Sequence, residues 1–277
     1  MKRRGWIRQS LTLGAALGAG LAPAWLRAAG LAAAPTAAEP NLSDGDPFGS
    51  FQWPELRKEF LGASARTQFD ARVRLQGPAF AEDPMNVPIT VSADLPGVQR
   101  LMVLVDRNPI CKVLELQPLS SLPAVSFRFK LEQASPVRAL ALTAEGVWHV
   151  GGTWVDSAGG GCTVAGGSRA DGSWTQTLGQ VSGRVDASAL PGGDSNARLR
   201  MRIMHPMDTG LVSGIPAFFV SKLAVRDGVD RELLRIQTFE PVSENPEFSF
   251  GFAKAPTGPL RIVGVDNNGN RIDSRVE

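Results

Sequence analysis

The chain has no tyrosine, two histidines and two cysteines among 277 residues, and each shortage removes a class of function. His149 and His205 stand far apart and belong to no Cys/His cluster with ligand spacing, so neither a metal site nor a cofactor is expected. The glycines form no GxGxxG between a strand and a helix, and no GKS or GKT follows them, which leaves a nucleotide loop unsupported. No GxSxG is present, so a serine hydrolase has nothing to rest on. A surplus of one charge is also missing: Lys and Arg number 29 against 27 acidic residues. Lys2, Arg3, Arg4, Arg8 and Arg27 fall in a segment that reads as removable, and without them the balance is 24 against 27, net −3. Nucleic acid and anionic membrane surfaces therefore have no electrostatic claim as partners.

The N-terminus, "MKRRGWIRQSLTLGAALGAGLAPAWLRAAG", has a basic start, an uncharged stretch from Gln9 to Leu26, and small residues offering cleavage near Ala29 or Ala34. This is the pattern of a secretory signal over residues 1–34. Arg3 and Arg4, followed by Trp6, Ile7 and Arg8, resemble the bacterial twin-arginine export signal, with Trp6 where Phe is usual. The alternative is an uncleaved anchor, but Gly, Ala and Pro dilute a stretch already short of the roughly 20 apolar residues that a spanning helix needs. The expectation is a periplasmic protein with no membrane span in its mature form.

Residues 35–52 read as an Ala/Pro-rich and then polar spacer. "WPELRKEFLG" (53–62) reads as a short helix, with Pro54 near its start and Gly62 at its end. Then the periodicity changes. "VPITVSADL", "RLMVLVD", "CKVLEL", "VSFRFKL", "RALALTA" and "VWHVGGTWV" are β-branched or aromatic runs between turn residues, the clearest being Val125, Phe127, Phe129 and Leu131 alternating with Ser126, Arg128 and Lys130. They predict a β-sandwich over 53–157. Residues 158–196 are rich in Gly, Ser and Asp and read as a loop and linker, with a short possible strand at "WTQTLGQV". A second β-set over 197–277 begins with Leu199, Met201 and Ile203 alternating against Arg198, Arg200 and Arg202, and its "VDNNGNRI" reads as a hairpin turn at Asn268-Gly269. The fold class expected is all-β, two sandwiches joined by a glycine-rich, cysteine-bearing connection.

That connection, "AGGGCTVAGGSRADGS" (158–173), sets Cys162 between Gly159, Gly160 and Gly161 on one side and Gly166 and Gly167 on the other. No Lys or His within six residues is placed to lower its thiol pKa, so a catalytic nucleophile would want better activation. A Cys/His pair would need the fold to bring His149 to Cys162. A carrier needs only exposure and reach, which glycines provide by removing bulk and backbone restriction. The competing reading is a Cys111–Cys162 disulfide in an oxidising compartment; Cys111 itself reads as an inert core thiol.

"AEDPMNVPITVSADLPGVQRLMVLVDRNPI" (81–110) together with "GGGC" resembles SoxY, the sulfur-carrier subunit of bacterial thiosulfate oxidation. "RLRMRIMHPMDTGL" (198–211), "SENPEFSFGF" (243–252) and "VDNNGNR" resemble its partner SoxZ. The order is that of a SoxY–SoxZ fusion, of the kind termed quinoprotein dehydrogenase-associated SoxYZ-like. The resemblance implies an immunoglobulin-like sandwich for each half and a thiol carrier with no activity of its own, holding thiosulfate- or sulfide-derived sulfur on Cys162. It also implies an intimate contact between the halves that buries aromatics such as Phe218, Phe219 and Phe239. The implied partners are periplasmic sulfur-oxidising enzymes, or a quinoprotein dehydrogenase with its cytochrome c. The second reading it allows is a docking module for that dehydrogenase system, with the cysteine disulfide-bonded or incidental. Two departures from the family pattern stand out: the chain continues beyond Cys162, and Thr163, Val164 and Ala165 follow it where SoxY has glycine.

Overall fold

The structure, a computed structural model, describes residues 45–172, 174–189 and 195–277. The expected signal segment, 1–34, and the first part of the expected spacer lie outside these residues.

Helix α1 (Trp53–Leu61) forms where it is expected. Pro54 sits in the first turn, where its missing N–H leaves no bond unmade, and Gly62 follows the last turn at φ 99°. Trp53 and Leu56 are buried against Met102, Leu104, Leu140, Trp148 and Val150. The helix thus covers the outer face of the strands carrying those residues.

All else is built on two sheets. The first runs β1 (Arg66–Phe69), β9 (Val147–Ser157), β8 (Ser135–Thr143), β5 (Val98–Val105), β6 (Lys112–Gln117), β13 (Glu232–Thr238), β12 (Val220–Arg226), β15 (Leu260–Asp266), β16 (Arg271–Val276), with β3 (Phe80–Ala81) beside β9. The second runs β10 (Val181–Ala189), β11 (Ser195–Ile203), β14 (Glu247–Phe252), β7 (Ala124–Phe129), β4 (Val87–Ala93), β2 (Val73–Gln76). Each half of the chain supplies strands to both sheets, so each half is an immunoglobulin-like sandwich.

The two sandwiches meet edge to edge. In the first sheet β6 pairs antiparallel with β13, Gln117 opposite Arg235 through Leu114 opposite Thr238. In the second, Ser126 and Val125 of β7 stand opposite Ser249 and Phe250 of β14. Strand edges that would expose unpaired N–H and C=O groups are consumed at the junction. One hydrophobic core follows, running without a break from Val91, Leu101 and Phe127 to Phe250, Leu234 and Ile262. Of the aromatics expected at the contact, Phe239 lies there: its N–H donates to Val113 O, and Lys112 Nζ sits 4.9 Å above its ring.

Val125, Phe127, Phe129 and Leu131 are all buried in the core as expected, but the outward alternation fails at Lys130. β7 ends at Phe129, and Lys130, expected on the solvent face with Arg128, is buried beside Leu131. The hairpin is as expected: β15 and β16 join through Asn268-Gly269, with Gly269 at φ 86° and Asp266 Oδ1 accepting the N–H of Asn268 and of Asn270.

Described parts of two stretches read as loose form defined structure. Within 158–196, expected as loop and linker, lie α2 (Gly167–Asp171), α3 (Trp174–Thr177) and β10, and "WTQTLGQV" is a helical turn followed by the first residue of β10 rather than one strand. Gly172 and Gly179, at φ 69° and 74°, break the extended path. β10 carries little sequence signal: it is an edge strand whose Val181 and Val185 are only half-buried, and whose Gly183 lies flush on the Arg200 carbonyl. The end of the expected spacer is likewise fixed. Asp46 accepts two hydrogen bonds from Arg138, at 2.7 and 2.8 Å, and Asp106 accepts two more from the same guanidinium. Arg138 is fully buried, stacked under Trp53 at 4.2 Å.

Candidate functional site

The site is built where the chain leaves β9 and crosses toward the second sandwich. The N–H of Gly159 donates to Ser157 Oγ, and Gly159 and Gly160 take φ of 96° and 88°, conformations that other residues seldom hold. The N–H groups of Gly160 and Gly161 then donate to the carbonyls of Glu132 and Leu131. A Cβ on Gly161 would stand 2.3 Å from Pro84 O and 2.6 Å from Leu131 O, so only glycine lets these backbones lie together. Glycines 159–161 therefore serve a tight docking, not the free tether expected of them. Gly166 is likewise pressed against the Glu244 carboxylate, and Gly167, in open space, begins α2.

Cys162 ends this crossing fully buried, where an exposed thiol was expected. Its N–H donates to Glu132 Oε2 at 2.8 Å, its carbonyl accepts from Thr209 Oγ1 at 2.6 Å, and its Sγ lies 3.7 Å from Lys130 O. Thr163 Oγ1 donates to the other Glu132 oxygen at 3.0 Å. Burial and the Glu132 carboxylate push the thiol pKa up to about 12, while the Lys130 charge pulls it down. Seated in this way, the sulfur is neutral and unreactive at neutral pH.

The receptor for the arm is the loop that opens β12's approach, "HPMDTG" (205–210). Thr209 holds the cysteine carbonyl, and Met207 O accepts from the buried Lys130 ammonium. Burial lowers the Lys130 pKa, and the negative charges of Asp208 and Glu244 oppose that shift. Arg169 of α2 donates to Asp208 Oδ2 and lies 4.2 Å over Trp174, whose ring meets Phe218 edge-on at 5.8 Å. The N–H of Ser168 donates to Glu244 Oε1. The segment after the cysteine is thus latched to the second half by charge, hydrogen bond and aromatic contact together.

His205 shapes this loop. Its Nδ1 accepts the Met207 N–H, which makes it the unprotonated nitrogen, and Nε2 stands 3.5 Å from Asp266 Oδ2, long for a hydrogen bond. Burial lowers its pKa to about 4, against the pull of Asp266 and Asp208. His149 is far from this chemistry, held by Asp70 Oδ2 at 2.8 Å and Gln68 at 3.0 Å, so it does not meet Cys162. Cys111 is half-buried, with Sγ 3.2 Å from Asn108 O, and burial raises its pKa to about 11. Both cysteines are free thiols, which removes the Cys111–Cys162 disulfide. Asn108 stands between their surroundings, donating to Lys130 O and accepting from the Glu132 N–H. Among the described residues no group of three His, Cys, Asp or Glu side chains is arranged to hold a metal.

Lys130, Glu132, Thr209 and Glu244 went unread in the sequence as site residues. The one signal was "KLE" directly after the alternating strand, two charges flanking a leucine where the pattern would place core.

A two-sandwich protein with a glycine-borne cysteine docked between its halves is the class that fold and site define. The model of the family "Sulfur oxidation protein SoxY" matches residues 57–162, and that of "Sulphur oxidation protein SoxZ" matches residues 187–277. The chain therefore carries a SoxY domain followed by a SoxZ domain in a single polypeptide, the order of a SoxYZ fusion. Among solved structures it is similar to the sulfur carrier protein SoxY from Chlorobium limicola f thiosulfatophilum, at 19% identity and a TM-score of 0.34, covering 38% of this chain and 90% of that one. No curated protein matches the chain. Among the described residues no helix is long and apolar enough to cross a membrane.

Proposed function

We propose that the protein is a periplasmic thiol carrier that holds a thiosulfate- or sulfide-derived sulfur on Cys162 and presents it to partner enzymes. The observation that carries this reading is the place of Cys162: the SoxY match ends on it, three glycines lead to it, and its thiol is free. The loading step joins one thiosulfate to the cysteine sulfur by a new S–S bond. The thiol loses its proton, and two electrons pass to external one-electron acceptors, such as two oxidised c-type haems of a partner. Loading cannot occur in the docked state, because the sulfur is buried and un-ionised. The arm must first lift from Glu132 and Thr209, so docking is the resting state and the partner meets the open one.

The burial of Cys162 also favours a second reading, a docking module for a quinoprotein dehydrogenase or cytochrome c in which the cysteine is incidental. Cys162→Ser separates the two. Under the carrier reading it abolishes sulfur oxidation supported by the protein while leaving partner binding intact; unchanged oxidation with Cys162→Ser sinks the carrier reading.

A further inference from the structure

The solvent face of the second sheet carries a feature that the cysteine chemistry does not use. One cross-strand row runs over all six strands: Arg184 opposite Arg200, then Ser249, Ser126, Thr90 and Gln76. Small hydroxyls form its floor, with Thr90 Oγ1 and Ser126 Oγ in contact at 2.9 Å. Arg128 and Arg202 flank the row, and the resulting trough has a volume of 630 Å³. It spans both sandwiches, so it exists only because β7 and β14 pair.

Charge in the trough is unbalanced. The four guanidiniums of Arg128, Arg184, Arg200 and Arg202 are answered by two carboxylates. Glu247 stands 3.9 Å from both Arg128 and Arg202, beyond hydrogen-bond reach, so their N–H groups keep capacity for another acceptor. Asp186 is shared between Arg184 at 3.1 Å and Arg200 at 3.3 Å. Like charges directly opposite one another on neighbouring strands are unfavourable, and an anionic occupant would relieve the Arg184–Arg200 pair. All four arginines remain about half exposed or more, from 48% to 65%.

We propose that this trough docks an extended acidic segment of a partner protein. Its length decides for a polypeptide over a single small oxyanion: six strands span roughly 24 Å, which an extended segment of about seven residues matches. Serine and threonine hydroxyls on the floor offer donors and acceptors to a peptide backbone, and the arginines offer forked donors to carboxylates. The facing arginines Arg184 and Arg200 belong to β10 and β11, whereas Cys162 is held by Glu132 and Thr209, so docking and sulfur chemistry can be altered separately.

The test uses the full mature chain and a fluorescein-labelled peptide of alternating glutamate and serine, read by fluorescence anisotropy at low salt and at about 0.15 M. We expect saturable binding that weakens with salt, and about tenfold or greater loss in Arg184→Ser/Arg200→Ser, with the thermal midpoint and Cys162 alkylation rate unchanged. Lys222→Ser/Arg235→Ser on the other sheet should leave binding intact. Absence of binding at low salt overturns the proposal, as does equal loss in the opposite-sheet variant, which would mean nonspecific attraction. Displacement of the peptide by millimolar sulfate, but not by chloride at matched ionic strength, also overturns it and marks a small-anion site.

Discussion

Thr209 Oγ1 donates a 2.6 Å hydrogen bond to the Cys162 carbonyl across 47 residues of sequence, joining the arm of the SoxY half to the loop of the SoxZ half. In a pair of separate chains this contact would be intermolecular. Here it ties two parts of one polypeptide, and under the proposed carrier function it would set the balance between a docked and a lifted cysteine.

Thr209→Val removes that bond at nearly constant volume. With a hydrogen bond contributing about 1 kcal/mol, the lifted fraction should rise about fivefold. Iodoacetamide labelling of Cys162, followed by peptide mass, measures it; an unchanged rate would show that the bond does not hold the arm.

Docking should also weaken at high pH. The docked thiol has its pKa raised to about 12 from an ordinary 9.0, first by burial and then by Glu132. Below about pH 9 both docked and lifted thiols are protonated, and the full docking energy is present. As pH climbs from 9 toward 12 the lifted thiol ionises while the docked one does not, so docking energy is lost. Alkylation of the native protein, divided by that of the urea-unfolded chain at the same pH, is expected to rise over this range. A flat ratio would count against the docked geometry.

His205 gives the opposite dependence on the acid side. Its folded pKa is lowered to about 4, chiefly by burial, so between pH 6.5 and 4 the unfolded chain binds a proton that the folded one refuses. Stability from this group is fully present above pH 6.5 and is lost as pH falls through 4, about 3 kcal/mol in all. Urea midpoints across that range should fall less steeply in His205→Asn than in the natural chain.

Arg138 holds Asp46 and Asp106 together in a fully buried cluster; burial pushes the Asp46 pKa up, but Arg138 together with the N–H groups of Ser50 and Phe48 outweighs it and leaves the pKa lowered. Removing one partner of such a cluster typically costs about 3–5 kcal/mol. Arg138→Met, which leaves the two buried carboxylates without their partner, should lose stability on that scale in urea denaturation, and Asp46→Ala, which leaves Arg138 paired with Asp106, should lose less.

The strands were legible wherever one face is apolar and the other polar, as in Val125, Phe127 and Phe129 or Leu199, Met201 and Ile203, because burial against the opposite sheet enforces period two. Asn268-Gly269 was legible because the turn demands positive φ. Non-local pairing was not. Nothing local marks Asp46 as the partner of Arg138, and Lys130 falls on the solvent parity of a strand that has already ended. Glycines around a cysteine read as freedom, since glycine grants both flexibility and close approach; the carbonyls of Pro84 and Leu131 that settle the matter at Gly161 are far away in sequence.

Carriage requires Cys162 to accept sulfur. The direct measurement is peptide mass of the mature protein after incubation with thiosulfate and an oxidised c-type cytochrome, with and without reductant. We expect a reductant-labile thiosulfonate adduct on the Cys162 peptide, greater in Thr209→Val and absent from Cys162→Ser. An unmodified Cys162 in the natural chain and in Thr209→Val, while the same cysteine in the unfolded chain alkylates freely, would contradict it.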